Sequence, residues 1–272
     1  MNIRYGISVN ALNLTMLEAF SDAGFECGEM TFNFRLQDRP DADAMLRQGD
    51  FLSKRILASG LKLWSVHLPF GDGWDPSLEA ETDRLYAVGE MKRLMKGSAE
   101  WGAKVIVLHG SFEPVDEERR PARMSACRKS IRTLAECART HGLKLAVENL
   151  PRTCLGRDSQ EMLQLTDDGA ACGTCFDVNH LLRESHEAYL NRAGETIITT
   201  HLSDYDGIDE RHWLPGKGIV PWARLYEQMT ACGYQGPMLF ELRPDPEGRA
   251  YSAPLILKAF QMSMASGEQR TR

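Results

Sequence analysis

The chain has 272 residues, 43% of them hydrophobic and 26% charged, a balance that supports a large buried core and excludes a disordered chain. A net charge of −6, with no basic run denser than pairs such as Arg119-Arg120, disfavours nucleic acid as a partner, because phosphate backbones are bound through clustered Lys and Arg. No basic segment followed by an apolar run opens the chain, and no stretch reaches the roughly 18 apolar residues of a membrane span, so a cytoplasmic protein without a membrane partner is expected.

In chain order, short β-forming runs alternate with longer amphipathic segments, the pattern of repeated βα units on a parallel sheet. Strands are expected at about 3–9, 25–30, 61–67, 104–109, 143–148, 173–177, 196–202 and 236–241. Between them, Leu78 to Trp101, Ala122 to His141 and Trp222 to Cys232 carry apolar residues at helical spacing. Gly24, Gly60, Gly102, Gly142 and Gly233 each follow a helical run and precede a strand, where a left-handed helix end suits glycine. With no GxGxxG after the first strand and no Walker-type loop, the α/β class expected is a single (β/α)8 TIM barrel over 1–265, with 266–272 as a flexible C-terminal tail. The seven cysteines are odd in number and irregularly spaced, which suggests reduced thiols; the lone Cys172/Cys175 pair leads into a strand and is expected to be structural.

In such a barrel the loops after the strands converge on one face, so chemistry is sought at strand ends. The third strand ends in Ser65-Val66-His67, the fourth in Val107-Leu108-His109 and the fifth in Ala146-Val147-Glu148-Asn149. The sixth ends in Phe176-Asp177-Val178-Asn179-His180, the seventh in Thr200-His201-Leu202-Ser203-Asp204 and the eighth in Leu239-Phe240-Glu241. One such residue would be an ordinary cap or loop anchor. Six consecutive strand ends aimed at one axis would bury several carboxylates together, which is costly without a cation. Mixed imidazole and carboxylate donors suit Mn²⁺ or Zn²⁺, with Co²⁺, Mg²⁺ or Fe²⁺ as other candidates. The loop His212 to Gly218 contains Gly216-Lys217-Gly218, either a plain turn or a place where Lys217 and glycine amides meet an anionic or hydroxyl-rich substrate. Trp74, Phe112 and Trp213 lie in the same set of loops, to pack them or to stack on a sugar face.

Glu148-Asn149-Leu150-Pro151, Asp177-Val178-Asn179-His180, His201-Leu202-Ser203-Asp204, the His212–Gly218 loop and Glu241 together resemble the xylose isomerase-like barrel superfamily, over nearly the whole chain. The resemblance implies that Glu148, Asp177, His201 and Glu241 hold one metal, as in its ketose 3-epimerase branch, and that His180 binds substrate. In its endonuclease IV branch the same four are joined by counterparts of His67, His109, His180 and His212, with an aspartate where this chain has Glu210, to bind three zinc ions. The expected activity is therefore metal-dependent isomerisation or epimerisation of a small ketose or keto-sugar, by moving a proton α to the carbonyl through an enediolate. A lyase or hydratase on a keto-sugar, or a trinuclear zinc phosphodiesterase, is the alternative. Within the first reading Glu148 and Glu241 exchange the proton, His67, His109, His180, His212 and Lys217 bind substrate, and Asn149 and Asp204 orient the ligands. A homodimer is the default assembly.

Overall fold

The computed structural model describes residues 3–39, 41–167 and 172–269. Eight strands form one parallel sheet: β1 Tyr5–Val9, β2 Phe25–Met30, β3 Lys62–His67, β4 Val105–His109, β5 Lys144–Glu148, β6 Cys172–Asp177, β7 Ile197–His201 and β8 Met238–Phe240. Hydrogen-bonded neighbours follow the order β7-β6-β5-β4-β3-β2-β1-β8. The seam between β7 and β8 is bridged at Leu202–Phe240, where Leu202 N donates to Leu239 O (2.8 Å) and Glu241 N donates to Leu202 O (3.1 Å). The sheet therefore rolls into the expected barrel, with every expected strand present.

Helices α1 (Leu17–Asp22), α2 (Ala42–Ala58), α3 (Glu81–Glu100), α4 (Arg120–Thr140), α5 (Ser159–Thr166), α6 (His186–Ala193), α7 (Trp222–Ala231) and α8 (Ala253–Gln269) connect the strands. Local chemistry sets several starts: the side chains of Asp41, Asp158 and Ser185 accept from Ala44 N, Glu161 N and Ala188 N, satisfying amides that a helix N-terminus leaves free. The five helix-ending glycines all have positive φ, from 68° at Gly142 to 97° at Gly24. α3 begins three residues later than the periodicity suggests, because the Asp75 carboxylate accepts from Ser77 N and Oγ and holds that stretch as a separate turn. α8 continues to Gln269, so the expected tail is helical up to that residue; 270–272 lie outside the described residues. Among the described residues no helix is long and apolar enough to cross a membrane.

Strand alternation decides what faces the barrel axis. Ile106, Leu108, Leu145 and Val147 point outward and join the main core beneath the helices, whereas Val105, Val107, Ala146 and Cys175 fill the barrel interior with Trp64 and Ile198. The alternation that sends Val107 and Ala146 inward sends His109 and Glu148 inward two residues later. Register then sets His109 beside Glu148 and Asp177 beside His201.

Candidate active site

Donor atoms of Glu148, Asp177, His201 and Glu241 all lie within 4.8 Å of one another at the C-terminal end of the barrel. His201 Nδ1 is the centre of the group: it is 3.3 Å from Glu148 Oε1, 3.2 Å from Glu241 Oε2 and 4.0 Å from Asp177 Oδ2. His201 Nδ1 and Asp177 Oδ2 are buried and make no hydrogen bond. Unsatisfied buried donors and acceptors are rare and costly, and two that face the same point among further carboxylates fit a divalent cation. Asp177 is aimed by its neighbours: Asn179 N donates to Oδ1 (2.7 Å), leaving Oδ2 for the centre, while Asn149 exchanges two hydrogen bonds with the Asp177 backbone (2.8 and 2.9 Å).

Three further groups adjoin the first: His67 with His109 and Glu148, Asp177 with His180 and His212, and Cys175 with Glu148 and His201. His67 Nδ1 donates to Leu68 O (2.8 Å), which turns Nε2 to Glu148 Oε2 at 3.1 Å; His109 Nε2 reaches the same oxygen at 3.3 Å. His180 Nδ1 donates to Asn149 O (2.9 Å) and its Nε2 faces Glu210 Oε2 at 3.2 Å. His212 adopts a left-handed φ of 52°, a conformation uncommon outside glycine, held there because Asn179 Oδ1 accepts from the amides of both Arg211 and His212. The structure thus gathers His67, His109, His180, His212 and Glu210 around the four expected ligands.

Charge in this cluster is shared. Burial pushes the Glu148 carboxyl up, but the imidazoles of His201, His109 and His180 outweigh it and hold it well below the usual range. Glu241 follows the same logic through His201 and His212. Burial dominates at Asp177, with Glu148 and Glu241 adding to it, and raises its carboxyl to about 6. His180 and His201 are raised well above an ordinary imidazole: burial opposes their charge, and it is overcome at His180 by Asp177, Glu148 and Glu210 and at His201 by Cys175 with Glu29, Glu241 and Glu148.

Glu148, Glu241 and the four surrounding histidines line an open cavity of about 620 Å³, together with Phe32, Phe34, Phe70 and Phe112. Phe70 stacks on His109 (4.2 Å, 19°) and meets Phe34 edge-on, giving the cavity one aromatic wall. Arg152 and Arg243 stand at its mouth, each paired with Glu210.

Several residues singled out in the sequence lie away from the cavity. Lys217 is exposed and lines a separate hollow between the loop after β7 and α8. Of the glycine amides beside it, that of Gly216 is taken by Asp204, whose carboxylate accepts from Tyr205 N, Gly216 N, Val220 N and Trp222 Nε1. Asp204 is consequently a loop anchor rather than a partner of the metal-ligand residues, and a Cβ at position 218 would come within 2.0 Å of Tyr205 O. Trp74 is buried in the core and Trp213 lies outside the cavity lining; of the three loop aromatics only Phe112 lines it.

A family model described as the xylose isomerase-like TIM barrel matches residues 17–259. The chain belongs to this family. An uncharacterized protein of Methanocaldococcus jannaschii is 26% identical over 185 residues, 65% of this chain and 63% of its own length, so the chain spans less than two thirds of that curated relative. Crystal structures of a D-tagatose 3-epimerase-like protein and of D-psicose 3-epimerase in the presence of D-fructose both give a TM-score of 0.76, at 18% and 17% identity, covering 99% and 98% of this chain and 100% and 99% of theirs. At that identity the likeness carries the fold.

Within this xylose isomerase-like barrel, two site residues were given no role from the sequence. Glu29, one position inside the end of β2, is wholly buried with Oε1 2.9 Å from His201 Nε2, and Asn179 aims both Asp177 and the His212 loop. A lone Glu in the otherwise uncharged end of a buried strand was the available signal for the first. Cys175, expected to be structural, comes within 4.8 Å of donor atoms of Glu148 and His201, and burial pushes its thiol well up.

Proposed function

We propose that the protein is a divalent-metal-dependent isomerase or epimerase acting on a small ketose or keto-sugar. The observation that carries this reading is that Glu148 and Glu241, from strands on different sides of the barrel, both reach His201 Nδ1 and both line a cavity of about 620 Å³, within the 300–1,000 Å³ common for small-ligand sites. Two carboxylates with access to one substrate can remove a proton on one face and return it on the other, which epimerises; working on a shared face they would isomerise. Glu148, Asp177, His201 and Glu241 would hold the metal, and Mn²⁺ or Zn²⁺ suits those donors. When bound, the metal would act as a Lewis acid, making the carbon next to the carbonyl more acidic.

The remaining steps belong to side chains. His67 and His180 each donate Nδ1–H to a backbone oxygen and are raised toward the charged imidazolium, whose Nε2–H, facing Glu148 and Glu210, would donate to substrate oxygens that gain charge in the enediolate. Phe70 and Phe34 cover an apolar sugar face and exclude water. The epimerase neighbours support the class of reaction, and the absence of a disulfide among the described residues suits the cytoplasm.

The test is metal counting combined with solvent exchange. Stripped protein reloaded with Mn²⁺, Co²⁺ or Zn²⁺ is expected to hold one ion per chain and to incorporate deuterium from D₂O at the carbon next to the carbonyl of an accepted ketose. Unchanged exchange after exhaustive chelation refutes the metal role. A second reading, a trinuclear zinc phosphodiesterase, is favoured by the adjoining His67–His109–Glu148 and Asp177–His180–His212 groups. It predicts three zinc ions per chain and cleavage of abasic DNA, and the same metal count separates the two.

A further inference from the structure

Glu29 sits in β2 with no exposed surface, and a buried carboxylate costs several kcal/mol unless its partners compensate. Its two oxygens have different neighbours. Ser65 Oγ, on β3, donates to Oε2 at 2.6 Å, and Oε1 lies 2.9 Å from His201 Nε2, while the Cys175 thiol adjoins the same ring. The distance is that of a hydrogen bond, with the two groups not yet aligned as in a formed one. On the far side of the same ring, Nδ1 faces Glu148, Asp177 and Glu241.

We propose that Glu29 is a positioning residue for His201: its carboxylate accepts the Nε2 proton, and so selects the tautomer whose Nδ1 lone pair points at the metal. The arrangement rests on the metal reading above, and adds to it a residue that touches neither metal nor substrate. An imidazole with only one free lone pair binds a cation through the nitrogen that carries no proton, so the group holding the other nitrogen determines which edge of the ring is the ligand. His67, stacked on His201 at 5.7 Å and 16°, limits rotation of the ring out of that plane. Ser65 completes the chain by fixing the other Glu29 oxygen.

Stripped wild-type protein, Glu29→Ala, Glu29→Gln and Ser65→Ala would each be titrated with zinc by calorimetry, and the zinc-loaded forms, labelled with ¹⁵N-histidine, would be examined by NMR for a slowly exchanging, downfield His201 Nε2–H proton. Glu29→Ala is expected to weaken zinc binding about 10- to 100-fold and to lose that proton signal. Glu29→Gln should bind more tightly than the alanine variant, because its amide oxygen accepts the same proton while Ser65 turns its hydroxyl to accept from the amide nitrogen. Ser65→Ala should cost roughly threefold to tenfold. A loss smaller than tenfold in Glu29→Ala, a Gln variant no better than Ala, or a protected Nε2–H proton that survives Glu29→Ala overturns the role. If Glu29→Ala does not fold, the Gln and Ser65 variants decide by the same two readouts: weaker binding with a shifted or missing proton supports the proposal, and both unchanged overturns it. Wild-type protein that binds no zinc overturns the metal reading itself, whereas zinc binding insensitive to these variants overturns Glu29 alone.

Discussion

The two glutamates that meet at His201 live in different surroundings. Glu148 ends β5 and is wholly enclosed, with Oε2 between His67 and His109 (3.1 and 3.3 Å) and Oε1 near His180 and His201 (3.4 and 3.3 Å). Glu241 stands just past the short β8, leaves 27% of its side chain open and has His201 and His212 as its imidazole neighbours (3.2 and 3.8 Å). A carboxylate gripped from four directions is a poor candidate for movement and a good one for fixing geometry. The more open one can swing toward a substrate carbon. The two halves of the site therefore divide positioning from mobility, even though both residues can exchange a proton.

Exchanging each glutamate for its amide tests that division most severely. Glu148→Gln and Glu241→Gln should both keep the fold and lose turnover, by about 10² to 10⁴ for the missing base alone. Glu148→Gln is expected to fall further, and to weaken metal binding more, because it also removes the anion that His67, His109, His180 and His201 face. Steady-state kinetics beside metal titration checks both; equal losses of metal affinity in the two variants would erase the distinction.

A second test uses pH. His180 and His201 titrate above their ordinary 6.5 in the metal-free protein, so the stability they contribute is complete below that value and is lost as pH rises through their raised folded values. Glu148 and Glu241 titrate below their ordinary 4.5, so their contribution is present above that value and is lost as pH falls. Metal-free protein should thus be most stable between these limits and weaken on the alkaline side. Metal binding should release protons and tighten with rising pH, because ligand imidazoles must give up a proton. Calorimetry in buffers of different ionisation enthalpy reads the proton count, and a count of zero breaks the account.

How much of this was legible in the sequence follows from the physics of each part. Strand ends were readable because alternation and glycine-terminated helices are local, and six of them carried His, Asp or Glu in successive units. Glu29 escaped because its strand ends in Met30, so the polar residue sits one step inside, and its partner His201 is more than 170 positions away. Asp204 misled for the opposite reason. Its place beside the His201 strand suggested a ligand partner, but its hydrogen bonds run forward into a loop whose path no local pattern encodes.

Smaller effects probe the mobile side alone. Asn179→Ala removes the carbonyl that accepts from Arg211 N and His212 N, and should lower stability by about 1–3 kcal/mol in urea unfolding while leaving metal affinity nearly intact. Its catalytic cost should appear as a raised KM, since His212 lines the cavity beside Glu241. Lys217→Ala should do least. Position 217 is exposed, its neighbours belong to α8 rather than to the cavity, and the loop is anchored by Asp204 whichever side chain stands there. A surface substitution of this kind changes free energies by about 0.5 kcal/mol or less, so kcat/KM should stay within roughly twofold of wild type. A larger drop would mean that the loop after β7 folds over the cavity during turnover and carries Lys217 to the substrate, which would extend the mobile half of the site well beyond Glu241.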